Sequence, residues 1–206
     1  MIAGGPTIRY IVTILVAIGI QAPATDNLLR NGSFDNEVLG WVDPTDAFPT
    51  GLWAHRRPGE SGAVKVINEG MIRTPLTTGK DTLINSISQC VRVEPGRRYE
   101  LSARALAVRD QPVAGYGAVS IIWFSNTNCD LKKNGSGLVQ TNYALSSAKL
   151  TALDDAWHEL RLRDLAPPRG ARAAEVSLDS AVTDFDRKGD FVVWFDDVVF
   201  RVAGAG

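Results

Sequence analysis

Apolar residues recur at every second position along most of this 206-residue chain, and almost nowhere at the spacing of an amphipathic helix. The clearest run is Tyr99 to Ala107, where Tyr99, Leu101, Ala103, Ala105 and Ala107 alternate with Glu100, Ser102, Arg104 and Leu106. Successive strand side chains point to opposite faces, so this run buries one face and leaves the other mostly wet. Similar runs are Ala63 to Ile67, Leu83 to Val93, Ala118 to Phe124, Trp157 to Leu165, Ala171 to Leu178 and Phe191 to Val202. Turn chemistry separates them, as in Glu94-Pro95-Gly96 and Pro167-Pro168-Arg169-Gly170. Many short antiparallel strands predict an all-β sandwich. Ser146 to Ala156 has Leu150 and Leu153 three apart, and is read as loop or a single turn.

The first 24 residues read as an address. Arg9 precedes the apolar run Ile11 to Ile20, and Ala22-Pro23-Ala24 places small residues at the −3 and −1 positions of a cleavage site. A membrane span needs about 20 apolar residues, so a cleaved signal peptide is expected over 1–24, with an uncleaved anchor as the weaker alternative. The remaining 25–206 form one domain, expected to be secreted or periplasmic, monomeric and free of the membrane.

Composition removes several function classes. Twenty-two basic against 23 acidic residues leave a net charge of −1, without the basic footprint that phosphate-backbone binding requires, so nucleic acid is not an expected partner. Two histidines, His55 and His158, and two cysteines, Cys90 and Cys129, cannot build a zinc finger or a haem site. In an oxidising compartment the cysteine pair is most simply a disulfide. The competing reading, two free thiols with a reactive Cys129, has no base nearby in sequence.

Four blocks in order carry a resemblance. Asn27-Leu28 followed by Asn31-Gly32-Ser33-Phe34-Asp35 and Gly40-Trp41 opens the chain; Gln89 through Pro95-Gly96 to Tyr99 follows; then Trp157 through Pro167-Pro168; then Phe195-Asp196-Asp197-Val198. Together they resemble secreted carbohydrate-binding modules of the galactose-binding-like, jelly-roll type. The resemblance implies a jelly-roll β-sandwich, a polysaccharide or oligosaccharide partner, and a structural calcium bound by Asp35 and Asp196 together with backbone carbonyls. Asp35 stands where the pattern has Glu, one methylene longer. The sugar-contacting residues of such modules vary, so the motif fixes architecture more than function.

The rings divide by context. Trp41 and Trp157 read as core packing. Trp53, Tyr116, Trp123, Tyr143 and Trp194 are the candidate sugar platforms, with core or isolated surface positions as the competing reading. An exposed ring can stack on the C–H face of a pyranose while neighbouring polar side chains bond its hydroxyls. In Ala118 to Phe124 parity does not tell which ring is exposed.

No catalytic constellation is evident. His158 alternates with Leu160 and Leu162 and reads as a structural histidine, and no nucleophile elbow occurs. The sequence likewise pairs no two carboxylates for a glycosidase. The expected function is a non-catalytic carbohydrate-binding module. The alternative is a structural or adhesive sandwich, binding protein and no sugar.

Overall fold

A computed structural model of the chain describes residues 27–35, 39–41, 63–70, 83–130, 146–183 and 189–204. The segment 1–24 lies outside them. Among the described residues there is no helix; eight strands run β1 (Val64–Gly70), β2 (Leu83–Arg92), β3 (Tyr99–Ala107), β4 (Gly115–Phe124), β5 (Ser146–Leu150), β6 (His158–Leu165), β7 (Ala173–Val182) and β8 (Gly189–Val202). They form two antiparallel four-stranded sheets, ordered β1-β8-β3-β6 and β2-β7-β4-β5. Every sheet neighbour pairing joins strands distant in sequence or reached by crossing between sheets, except β4 with β5. This is the jelly-roll sandwich.

The alternation in β3 places its odd residues in the core, where Tyr99, Leu101, Ala103, Ala105 and Ala107 are buried. Tyr99 stacks on Phe200 with ring centroids 5.1 Å apart, and its hydroxyl accepts the Glu94 N–H at 2.7 Å. The Glu94-Pro95-Gly96 turn forms as predicted, with Gly96 at φ 79, a conformation its missing Cβ permits.

In β8 the alternation changes parity. Phe191, Val193 and Phe195 face the core before Asp196, and Val198 and Phe200 face it afterwards. The cause is a bulge: the register with β3 shifts between Ser102 and Arg104, and Asp197 has φ 48. A second bulge at Asp164, φ 56, does the same in β6. Aspartate tolerates this left-handed conformation better than most residues, which explains why an acidic residue marks both places.

The opening motif is architectural. Asn27 donates its side-chain amide to the Val198 carbonyl and accepts the N–H groups of Leu29 and Phe200, pinning the segment 27–35 beside β8. Trp41 is buried against Phe34 and donates its indole N–H to the Asn31 carbonyl, as the core reading expects.

Three sequence expectations need correction. Ser146 to Leu150 is the edge strand β5, paired with β4 from Gly117 to Ile121, rather than loop. Trp157 is 36% exposed, because it precedes β6 on the sheet side that faces away from the core. Trp123 is only 5% exposed and packs beside Tyr99, with ring centroids 6.3 Å apart, so it offers no platform. Its strand lies between β7 and β5 and is buried on both faces: Val119, Ile121 and Trp123 point inward, while Phe124 on the opposite face is buried as well.

Candidate functional site

Even-numbered residues of β7 (Ala174, Val176, Leu178, Val182) pack into the core, which turns Glu175, Ser177 and Asp179 to the outward side of the β2-β7-β4-β5 sheet. Cross-strand register brings Ser86 of β2 opposite Asp179, Ser88 opposite Ser177, and on the other flank Ala118 opposite Asp179 and Ser120 opposite Ser177. The outward side of this sheet therefore carries a polar cluster, yet Ser88, Ser120, Ser177 and Asp179 are all buried.

Ser86 donates its hydroxyl to Asp179 Oδ1 at 2.7 Å and Ser120 donates to Oδ2 at 2.5 Å, with the Ser177 hydroxyl as a third partner. Burial nevertheless pushes the Asp179 carboxyl above its ordinary value, and the three hydroxyls pull the other way. Glu175 is also raised, first by burial and then by the charge of Asp179. Two neighbouring carboxyls that both resist ionisation form an acceptor-rich patch with reserve proton-donating capacity.

Tyr116 borders this cluster. It is the strand neighbour of Ala118 on the same face, partly exposed, and the Lys149 ammonium of β5 lies 4.1 Å from its ring centroid. Its flanking glycines belong to strand β4 rather than to a loop. At the far end of the face Cys90, opposite Glu175, forms a disulfide with Cys129, with Cα atoms 5.8 Å apart. Asn126 folds the loop around Cys129 onto itself: its side-chain oxygen accepts the N–H groups of Asn128 and Asp130, and its amide donates to the Asp130 carbonyl.

Of the predicted platforms within the described residues, only Tyr116 is on this face: Trp123 is in the core and Trp194 is on β8 of the other sheet, while Trp53 and Tyr143 lie outside the described residues. Sequence reading passed over Asp179 and its serines, although Glu175, Ser177 and Asp179 alternating with Val176 and Leu178 was a visible signal of a polar face.

The two residues implied as calcium ligands are separately engaged. Asp35 is exposed and accepts the Ser33 hydroxyl at 2.6 Å, while Asp196, 2% exposed, accepts the Asp197 N–H at 2.7 Å. The Val198 carbonyl accepts from Asn27, and the Gly32 carbonyl accepts the Val198 N–H. Among the described residues no three His, Cys, Asp or Glu side chains converge on a metal position. A hard cation takes six to eight oxygens, of which two carboxylates supply some and backbone carbonyls or solvent would have to supply the rest.

His158 is paired with Asp154, its Nε2 lying 2.9 Å from Oδ1, and this bond holds the Asp154 carboxyl below its usual range. The sequence reading of His158 as structural agrees with that arrangement.

No protein-family model matches the chain, and no curated protein matches it in sequence. Solved structures do. A xylan-binding domain from carbohydrate-binding module family 22 matches at 16% identity and TM-score 0.56, over 87% of this chain and 97% of that one. The C-terminal family 22 module of Clostridium thermocellum Xyn10B matches at 16% identity and TM-score 0.55, over 85% and 94%. A family 16 carbohydrate-binding module matches at 16% identity and TM-score 0.51, over 84% and 99%. The chain spans 21% of the enzymatically active domain of bacteriophage CBA120 tailspike protein 4, at 16% identity and TM-score 0.45. The chain thus has the β-sandwich fold of carbohydrate-binding modules.

Proposed function

We propose that this chain is a secreted, non-catalytic module that binds a glycan on the outward face of the β2-β7-β4-β5 sheet. The observation that carries the reading is the Asp179 cluster: buried hydroxyls and carboxyls on a sheet face turned away from the core, beside a partly exposed tyrosine. The partly exposed Ser86 and Glu175 offer a donor and acceptors to sugar hydroxyls, the buried Asp179 and Ser120 hold Ser86 in place, and Tyr116 offers a ring to the C–H face of a pyranose. Lys149, on a flexible stem, can leave the Tyr116 ring to a sugar. Trp53 and Tyr143 stay candidate platforms on the sequence alone, and the disulfide accords with an oxidising compartment.

One observation favours the rival reading, a structural or adhesive sandwich. The Asp179 carboxylate is bonded by the chain's own serines on both oxygens, as a purely structural cluster would be.

Isothermal titration against cellohexaose, xylohexaose and mannohexaose separates the two. Saturable heat that Tyr116→Ala weakens at least tenfold, with an unchanged melting temperature, supports glycan binding. Absence of heat with all three sugars favours the structural module.

A further inference from the structure

The other sheet has an outward face of its own. Trp194 of β8 is paired with Leu106 of β3, and the β3–β6 register, with Ala105 opposite His158, sets Trp157 beside Leu106 on the far side. Trp194, Leu106 and Trp157 therefore form one row across the sheet. Two strand spacings separate the indoles, about 10 Å. Trp157 is among the few large apolar side chains exposed in the described residues, and Trp194 is partly exposed.

Cationic side chains lie over this row. The Arg104 guanidinium sits over the Trp157 ring, 5.0 Å from its centroid, and is bonded to Asp197 at 3.3 Å; Lys65 Nζ sits over the Trp194 ring at 5.7 Å, and each is carried on a flexible stem that can swing aside for a sugar. Glu159 and Arg161 pair alongside. An apolar strip one side chain deep, edged by ion pairs, is far smaller than the roughly 20–30 residues a side of a stable protein contact. It suits a narrow linear polymer. In an extended β-linked glycan every second ring presents the same face, and two rings in line at this separation meet that repeat.

We propose that Trp157 and Trp194 form a second glycan platform, for an extended β-linked chain, on the side of the sandwich opposite Asp179. The indoles stack on alternate sugar rings, Leu106 supports the ring between them, and Arg104 and Asp197 bond its hydroxyls. The two faces belong to different sheets, so one glycan chain cannot occupy both. A protein with both would bridge two chains, and its retention on a polymer would exceed that of either face by avidity. The proposal stands independently of the Asp179 face.

The test is a titration of ¹⁵N-labelled protein with cellohexaose and with xylohexaose, following the indole N–H resonances. Trp157→Phe and Trp194→Phe assign the two signals by their disappearance, and each retains a ring for folding. The expected result is a saturable shift of both signals with at least one hexasaccharide, unchanged in Tyr116→Ala and weakened at least tenfold in Trp157→Ala. Indoles that do not move with either sugar overturn the proposal. If heat dependent on Tyr116 persists in that case, only this second platform fails; if no sugar binds anywhere, both readings fail.

Discussion

Gly117 of β4 and Val193 of β8 meet across the sandwich so closely that a Cβ added to Gly117 would lie 2.7 Å from Cγ1 of Val193. The glycine beside Tyr116 thus serves the packing of two sheets. Its neighbour Gly115 is closer still to the other chain segments: a Cβ there would lie 2.2 Å from the Ala181 carbonyl oxygen. Neither strand can shift alone cheaply, because β4 is paired with β7 from Gly115 to Phe124 and β8 is paired with β1 at Val193 and with β3 at the same residue. Gly117→Ala should therefore cost about 1–3 kcal/mol by overpacking, read as a lower urea midpoint with an unchanged slope. A neutral substitution would mean that the sheets yield at this point.

The same pair explains what the sequence concealed. Gly115-Tyr116-Gly117 looks like a turn, since glycine usually punctuates, and only the inter-sheet contact reveals a strand. Trp123 and Trp157 exchanged their expected places for related reasons. Strand β4 is apolar on both faces, so its alternation carries no direction, whereas Trp157 precedes its strand and follows no core parity. By contrast, β3 alternates small and large apolar residues with Glu100, Ser102 and Arg104 before Leu106 breaks the pattern, and its bounds were legible to the residue. The Asp179 cluster lay just beyond the end of the strand read from Ala171 to Leu178. Its partners come from β2 and β4, a juxtaposition that only the long-range register creates.

Asp179 makes stability depend on pH in an unusual direction. Its folded-state pKa is raised, so the folded chain holds that proton more tightly than the unfolded one. Such a group contributes most stability below its unfolded pKa, about 4, and the contribution disappears as pH rises through the folded value. Glu175, raised as well, acts with the same sign. The stability of the natural chain relative to Asp179→Asn should consequently fall as pH rises above about 4. Urea unfolding of both proteins at a series of pH values reads this directly. A relative stability that climbs with pH would mean the serine hydroxyls outweigh burial.

The Cys90–Cys129 bond ties edge strand β2 to the loop that follows β4, closing a sequence separation of 39. On the chain-entropy account a loop of this size is worth about 4 kcal/mol, acting mainly on the unfolded chain. Because Asn126 already holds the loop in place, reduction should lower stability while leaving the folded loop largely intact. Each kcal/mol shifts the melting temperature by about 2–4 °C in a domain of this size, so reductant should lower it by roughly 10 °C. The double variant Cys90→Ala, Cys129→Ala should match the reduced protein. A melting temperature indifferent to reductant would show that the ladder with β7, and not the crosslink, holds β2 in register.

Asp35 and Asp196 provide a test of metal dependence. A calcium ion between them would share Asp35 with the Ser33 hydroxyl and Asp196 with the Asp197 N–H, and would share the Gly32 and Val198 carbonyls with the hydrogen bonds they already accept. The Asn27, Leu28 and Gly32 bonds to Val198 and Phe200 already tie the segment 27–35 to β8. Melting in millimolar calcium and in excess chelator should therefore give the same temperature. A bound ion that prefers the folded state would instead raise it with increasing calcium, by mass action, and the increment would disappear in Asp196→Asn. That result would mean the aspartate carboxylates turn from their present partners to the ion, with the remaining oxygens supplied by backbone or solvent.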